Sequence, residues 1–262
     1  MGAQAAALLA AGGPLGEPVG FAPAVVSTLA APDGWSLRDV ALAHGGVGLS
    51  PWSWDGTGLG TVLPDGTRAR VHGGLTVELS AEADLAALRR ALDLDADLTE
   101  LWDVAPHCRG EGWELRATSP FEALVQALAA TNTSYRSTQA MVAELVGNGA
   151  FPRPAEVARL PLRRWGYRLP ALRELAEVVD DTDWDALDDD ALVERVRRLR
   201  GFGAFAAASV LHLMGRPRAL LLDGWLADQV DDPRTYEHYG RWAGTVLWLD
   251  VSRRWRRAPR TP

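Results

Sequence analysis

With 262 residues, 47% of them from the apolar set, the chain is long enough to bury one or two sizeable cores. No apolar run approaches the roughly 18 residues a membrane-spanning helix needs, and the single cysteine, Cys108, excludes an internal disulfide and a four-cysteine iron–sulfur cluster. The formal net charge of −7 argues against a polyanionic partner, but residues 1–110 carry all of it, and seven of the remaining acids crowd into Asp180 to Asp190.

In chain order, the Ala-rich start MGAQAAALLAAGG precedes the first basic residue, Arg38, which speaks against a secretory signal and for a loose or partly helical leader on a cytoplasmic protein. Residues 35–79 contain strand-like runs. Thr61-Val62-Leu63 and Ala69-Arg70-Val71 flank the turn signal Pro64-Asp65-Gly66, and Leu75 to Leu79 alternates, which predicts a small antiparallel sheet. From Ala81 onward helical patterns dominate: Ala83 to Leu92, Pro120 to Ala130, Ser134 to Val146, Pro154 to Leu160, Leu169 to Val179, a pair around residue 200, and a last one near Tyr239 to Arg254. The class is α+β and mostly helical, with an N-terminal sheet region (1–110) and a helical domain (111–262).

The most informative stretch is LRGFGAFAAASVLHLMGRPRALLLDGWLADQV, Leu199 to Val230. Leu192, Val193, Val196 and Leu199 recur at helical spacing after the capping carboxylates Asp188 to Asp190, and Ala204 to Met214 resumes as a helix of small residues. Between them, Gly201 and Gly203 flank Phe202, so the backbone can turn tightly and leave amides uncovered at the start of the second helix, a seat for a backbone phosphate. Such a seat positions nucleic acid without reading its sequence. An ordinary helical hairpin with packing glycines is the competing reading. Arginines at 195, 197, 198 and 200 lead into the turn, and others lie in the tail at 253, 254, 256, 257 and 260. Downstream, Asp223 follows a short apolar run, immediately before the helical-looking Trp225 to Val230. It stands where an N-cap belongs, worth about 0.5–2 kcal/mol, and where a fixed carboxylate can face the sugar of a bound nucleotide.

Taken together, these residues resemble the helix-hairpin-helix DNA glycosylase superfamily, closest in style to the alkylpurine and 8-oxoguanine branches that lack an iron–sulfur cluster. A Gly-hydrophobic-Gly hairpin there precedes a catalytic aspartate by some twenty residues, the relation that Gly201 and Asp223 hold. SPFEALVQALAATNTSYRSTQAMVAEL, Ser119 to Leu145, resembles the helix pair of the lesion face. RRWGYRLPALRELAEVV, Arg163 to Val179, resembles the Gly-Tyr-Arg helix start. The resemblance implies a two-lobe helical body with an N-terminal sheet, and Asp223 as the catalytic carboxylate. It also implies DNA contacts from Arg200, Gly201, Phe202, Gly203 and Ala204, and a monovalent cation at the hairpin as the one conceivable cofactor, with no metal site otherwise. Asn132 matches the position that fills the space left by a flipped nucleotide or meets the orphaned base, and Tyr135, Phe205 and Trp225 are candidate walls of the base pocket.

The chain departs from the pattern at Phe205, which occupies the position of the Schiff-base lysine in bifunctional relatives. All 27 basic residues are arginines, which stay protonated and cannot attack C1′. The expected activity is therefore monofunctional: a damaged base, an alkylated purine first, is flipped from double-stranded DNA and its N-glycosidic bond hydrolysed, leaving an abasic site. Oxidised or deaminated bases are alternative substrates, and a non-catalytic lesion-sensing protein on the same scaffold is the alternative function. A monomer is expected, without membrane association and at the nucleoid when DNA-bound.

Overall fold

The computed structural model describes residues 15–16, 19–43, 46–218 and 228–256, with side chains through Arg253. The Ala-rich start, Asp223, Trp225 and the side chains of the tail arginines beyond 253 lie outside the described residues.

Five short strands form one antiparallel sheet: β1 (Val25–Thr28), β2 (Ser53–Trp54), β3 (Leu59–Val62), β4 (Arg68–Val71) and β5 (Thr76–Leu79), in the order β1-β5-β4-β3-β2. The expected hairpin is present, with Thr61 opposite Ala69. Its turn closes through Leu63 N–H to Thr67 O (2.8 Å), the Asp65 carboxylate accepting from Thr67 N–H (2.8 Å), and Gly66 at φ +89°. Leu75 is not the start of β5 as expected. It ends the 3₁₀ turn Gly73–Leu75, because Gly74 takes φ +76° and Leu75 itself φ +57°.

The helices are α1 (Leu37–Ala41), α2 (Ala86–Ala91), α3 (Thr99–Val104), α4 (Pro120–Ala129), α5 (Tyr135–Val146), α6 (Pro154–Val157), α7 (Leu169–Val178), α8 (Asp189–Arg197), α9 (Ala204–Leu213) and α10 (Ala243–Arg256). Caps explain the sharp starts. Ser119 accepts from Glu122 N–H (3.2 Å) with Pro120 at the first helical position, Ser134 from Ser137 N–H (3.2 Å), and Asp188 from Ala191 N–H (2.8 Å). The helix expected from Tyr239 begins only at Ala243, since Gly240 at φ +60° breaks a 3₁₀ stretch over Pro233–Trp242. Likewise α2 starts at Ala86, where Asp84 accepts from the Ala86 amide (2.9 Å), and not at Ala83.

Two large hydrophobic cores result. One gathers α4 to α9 around Leu124, Leu128, Val142, Trp165, Leu172 and Val210. The other lies under the sheet with α1 to α3 and also takes Trp113, Leu115, Trp242, Val246 and Leu249, so the sheet region and α10 share it. The cores are joined by polar ties. Arg90 meets Asp185 through two bonds of 2.8 Å. Arg116, its side chain 10% exposed, reaches Asp93 (3.0 Å) and Glu114 (2.8 Å) and donates to the His212 carbonyl (2.9 Å) in the last turn of α9. Buried charges persist only when paired and hydrogen-bonded in this way. No helix among the described residues is long and apolar enough to cross a membrane.

Candidate nucleic-acid interface

The segment between α8 and α9 is the turn anticipated from its glycines, and its residues divide into two groups. Gly201 sits at φ +87°, and a Cβ there would lie 3.0 Å from Leu128 Cδ1 and 3.5 Å from Ala171 Cβ. Phe202 is buried in the helical core and its amide donates to Leu199 O (3.3 Å). These two residues anchor the hairpin against α4 and α7. Arg200, Gly203 and Ala204 are exposed, together with Arg197 and Arg198. Gly203 is the N-cap of α9, in extended conformation, with no side chain capping the helix and open space where a Cβ would go. The first amides of α9 therefore face outward at the positive end of a helix dipole, beside a group of guanidinium groups. The acid-rich stretch 180–190 lies at the other end of α8, about 13 Å away for nine residues of helix. Three of its carboxylates are paired with Arg90, Arg216 and Arg218.

A second exposed edge adjoins the hairpin. Leu128, which Gly201 approaches, is followed by the α4–α5 turn, where Thr131 Oγ1 donates to Leu128 O (2.8 Å) and Asn132 takes φ +43° with its side chain exposed. Asn tolerates this left-handed conformation better than most residues. Arg168, at the start of α7 and buried, donates to Thr131 O, to Thr131 Oγ1 (3.2 Å) and to Asn132 O (3.4 Å). Its guanidinium carbon also lies 4.3 Å from the ring centroid of Tyr167, which is 69% exposed. Tyr167 was not among the residues singled out from the sequence. It lies in the 3₁₀ turn Gly166–Arg168 that leads into α7, within the Gly-Tyr-Arg context already noted in the sequence.

Of the expected pocket residues, Tyr135 is the first residue of α5 and is buried, its phenol packed against the 46–48 turn so closely that a Cβ on Gly48 would meet its oxygen at 2.3 Å. Burial pushes this phenol above its ordinary pKa. Gln139 seals the same seam by donating to Gly48 O (3.0 Å). Phe205 is half-buried on the first turn of α9, its carbonyl accepting from Ser209 Oγ (2.9 Å). Asp223 and Trp225 lie outside the described residues. Trp52 and Trp54 belong to the sheet-side core.

No protein-family model and no curated protein sequence matches the chain. Its structure is similar to that of the 3-methyladenine DNA glycosylase from Archaeoglobus fulgidus, with TM-score 0.61 and 14% identity over 86% of this chain and 93% of that one. The 8-oxoguanine glycosylase/lyase of Clostridium acetobutylicum in its apo-form gives TM-score 0.57 and 16% identity over 74% and 85%. The same protein in complex with double-stranded DNA containing cytosine opposite 8-oxoguanine gives 0.56 and 15% over 77% and 86%. The chain shares the fold of these DNA glycosylases.

Proposed function

We propose that the protein is a monofunctional DNA glycosylase that extrudes a damaged base from duplex DNA and hydrolyses its N-glycosidic bond. The observation that carries this reading is the hairpin. On a glycosylase fold, it presents uncapped α9 amides at an open Gly203 beside exposed Arg197, Arg198 and Arg200, next to an edge formed by Asn132 and Tyr167. Phosphate seated on the amides fixes the duplex in register. Asn132 and Tyr167 then fill the space that the extruded nucleotide leaves, and the base enters a pocket walled by Phe205, Tyr135 and Trp225 between the two lobes of the body. Asp223 stabilises the positive charge developing at C1′ or orients the attacking water, and the product is an abasic site.

Monofunctionality rests on composition, as 262 residues include no lysine. A fold neighbour is named as a glycosylase/lyase, so this part of the reading stands on composition alone and not on the comparisons. An N-alkylated purine is the proposed substrate. Its positive charge makes it a good leaving group that aromatic faces attract, and a 3-methyladenine glycosylase is among the structural neighbours. The protein acts as a monomer in the cytoplasm, and a monovalent cation is the one cofactor proposed at the hairpin itself. The test is release of free base from duplexes carrying an N-alkylated purine, 8-oxoguanine or uracil, with the abasic product revealed by alkali. Duplex binding without release from any of them would assign the chain to the non-catalytic alternative.

A further inference from the structure

Away from the hairpin, the C-terminal helix meets the 3₁₀ turn Pro106–Cys108 through groups of unusual composition. The donor atoms of His107, Cys108 and Asp250 all lie within 4.8 Å of one another, and His107 Nε2 is 3.2 Å from Asp250 Oδ1. His107 is exposed and Cys108, the only cysteine, is buried. A cation already holds this corner. The Arg253 guanidinium donates to Asp250 Oδ1 (2.8 Å), to Glu111 Oε2 (3.3 Å), to His107 O (3.3 Å) and to Cys108 Sγ (3.6 Å). Four acceptors from two distant segments thus converge on one positive group. Burial keeps the thiol above its ordinary pKa despite that group.

We propose that His107, Cys108 and Asp250 form a binding site for a divalent ion of the zinc class, taken up in exchange with the contacts of Arg253 to Cys108 and Asp250. Imidazole nitrogen, thiolate and carboxylate are the zinc donor set, and three protein ligands leave the fourth position to water. Around zinc, with bonds of about 2.0–2.3 Å, tetrahedral donors stand roughly 3.5 Å apart, so the three groups need to draw in by little more than about 1 Å. The Arg253 side chain, part-exposed, can stay with Glu111 and the His107 carbonyl while the ion takes Cys108 and Asp250. Binding replaces the thiol proton by the ion, so one proton leaves per ion bound. One positive charge is thereby added to a corner where a single guanidinium now serves two carboxylates. The ion joins α10, whose Val246 and Leu249 complete the sheet-side core, to the turn after α3, and its role is structural, independent of the glycosylase reading. The absence of further cysteines led to no expectation of a metal, because His107 and Asp250 stand 143 residues apart and only folding brings them together.

The experiment titrates the chelator-treated full-length protein with Co²⁺ and then Zn²⁺. One equivalent of Co²⁺ is expected to give a thiolate-to-cobalt charge-transfer band and tetrahedral ligand-field bands, both lost as Zn²⁺ displaces it. Zn²⁺ is expected to raise the melting temperature. Cys108→Ser should abolish the charge-transfer band. Because that site is buried, His107→Gln, on an exposed side chain, serves as the second variant and should lose stoichiometric binding while melting like the metal-free parent. Arg253→Gln should bind more tightly than the parent, having lost the competing cation. No charge-transfer band in the parent, or stoichiometric binding that survives in His107→Gln, overturns the proposal.

Discussion

Arg168 Nη2 donates to the backbone carbonyl of Asn132 across 3.4 Å, and the same guanidinium carries the ring of Tyr167 on its face. One buried side chain therefore sets both the left-handed turn that exposes Asn132 and the position of the one aromatic ring among the described residues that is 69% exposed. The two functions separate by mutation. Tyr167→Ala should leave the melting temperature unchanged and weaken binding to lesion-bearing duplex, by about 1–3 kcal/mol if a base stacks on the ring. Arg168→Ala removes hydrogen bonds from a charged donor to the part-buried carbonyls of the α4–α5 turn and should cost about 1.5–3 kcal/mol of stability as well as binding. Thermal melting alongside fluorescence anisotropy checks both, and equal binding by the parent and Tyr167→Ala would remove this edge from the interface.

The two hairpin glycines should behave differently. Gly201 needs its positive φ and has Leu128 at 3.0 Å from any added Cβ, so Gly201→Ala should lower stability by about 1 kcal/mol or more. Gly203 has an ordinary extended conformation and open space. Gly203→Val should therefore fold, losing at most about 1 kcal/mol at the cap, yet bind damaged and undamaged duplex more weakly because the side chain holds phosphate off the α9 amides. Arg200→Ala should lower affinity and flatten the salt slope by about one unit or less. Undiminished binding by folded Gly203→Val across a salt titration would end the phosphate-clamp reading.

The elements that bear on the interface were legible because local chemistry specifies them. Ser119, Ser134 and Asp188 cap α4, α5 and α8, and the Pro64-Asp65-Gly66 turn sets the β3–β4 register. What escaped was set at long range or by brevity. β2 has two residues, and β1 is an edge strand with Val26 64% exposed, so neither leaves a strong alternation. Gly240 breaks an otherwise continuous helical pattern by a backbone choice that the surrounding residues do not reveal. The bonds of Arg168 to a turn more than thirty residues upstream belong to tertiary packing, which is why Tyr167 was passed over although its Gly-Tyr-Arg context was noticed.

Glu122, fully buried in the first turn of α4, accepts from Thr118 N–H (2.7 Å) and Gln126 Nε2 (3.0 Å). Burial raises its pKa above the ordinary glutamate value in spite of those donors. With the folded value above the unfolded one, the protonated carboxyl favours the folded state. That contribution is complete below the unfolded value and is lost as pH rises through the folded value. Glu122→Gln, whose amide can keep partners after a flip of Gln126, should escape the loss. Its melting temperature relative to the parent should rise as pH increases from about 4 to about 8. Parallel melting curves over that range would show that the carboxyl titrates alike in both states.

The chemistry itself is tested at Asp223 and by the missing lysine. If Asp223 supports the reaction as proposed, Asp223→Asn, which keeps the size of the side chain and its ability to hydrogen-bond, should preserve folding and duplex affinity while removing the negative charge. Loss of one such electrostatic contact in a transition state costs about 2.7–4 kcal/mol, or roughly two to three orders of magnitude in rate. Single-turnover base release should fall by that much with affinity unchanged, and an undiminished rate would remove Asp223 from the chemistry. In the parent, where no lysine exists to form an imine, the abasic product should break only on treatment with alkali or heat, and borohydride should trap no protein–DNA adduct. An efficient adduct would identify another amine, the chain's N-terminus first, as a nucleophile and would make the protein a lyase despite its composition.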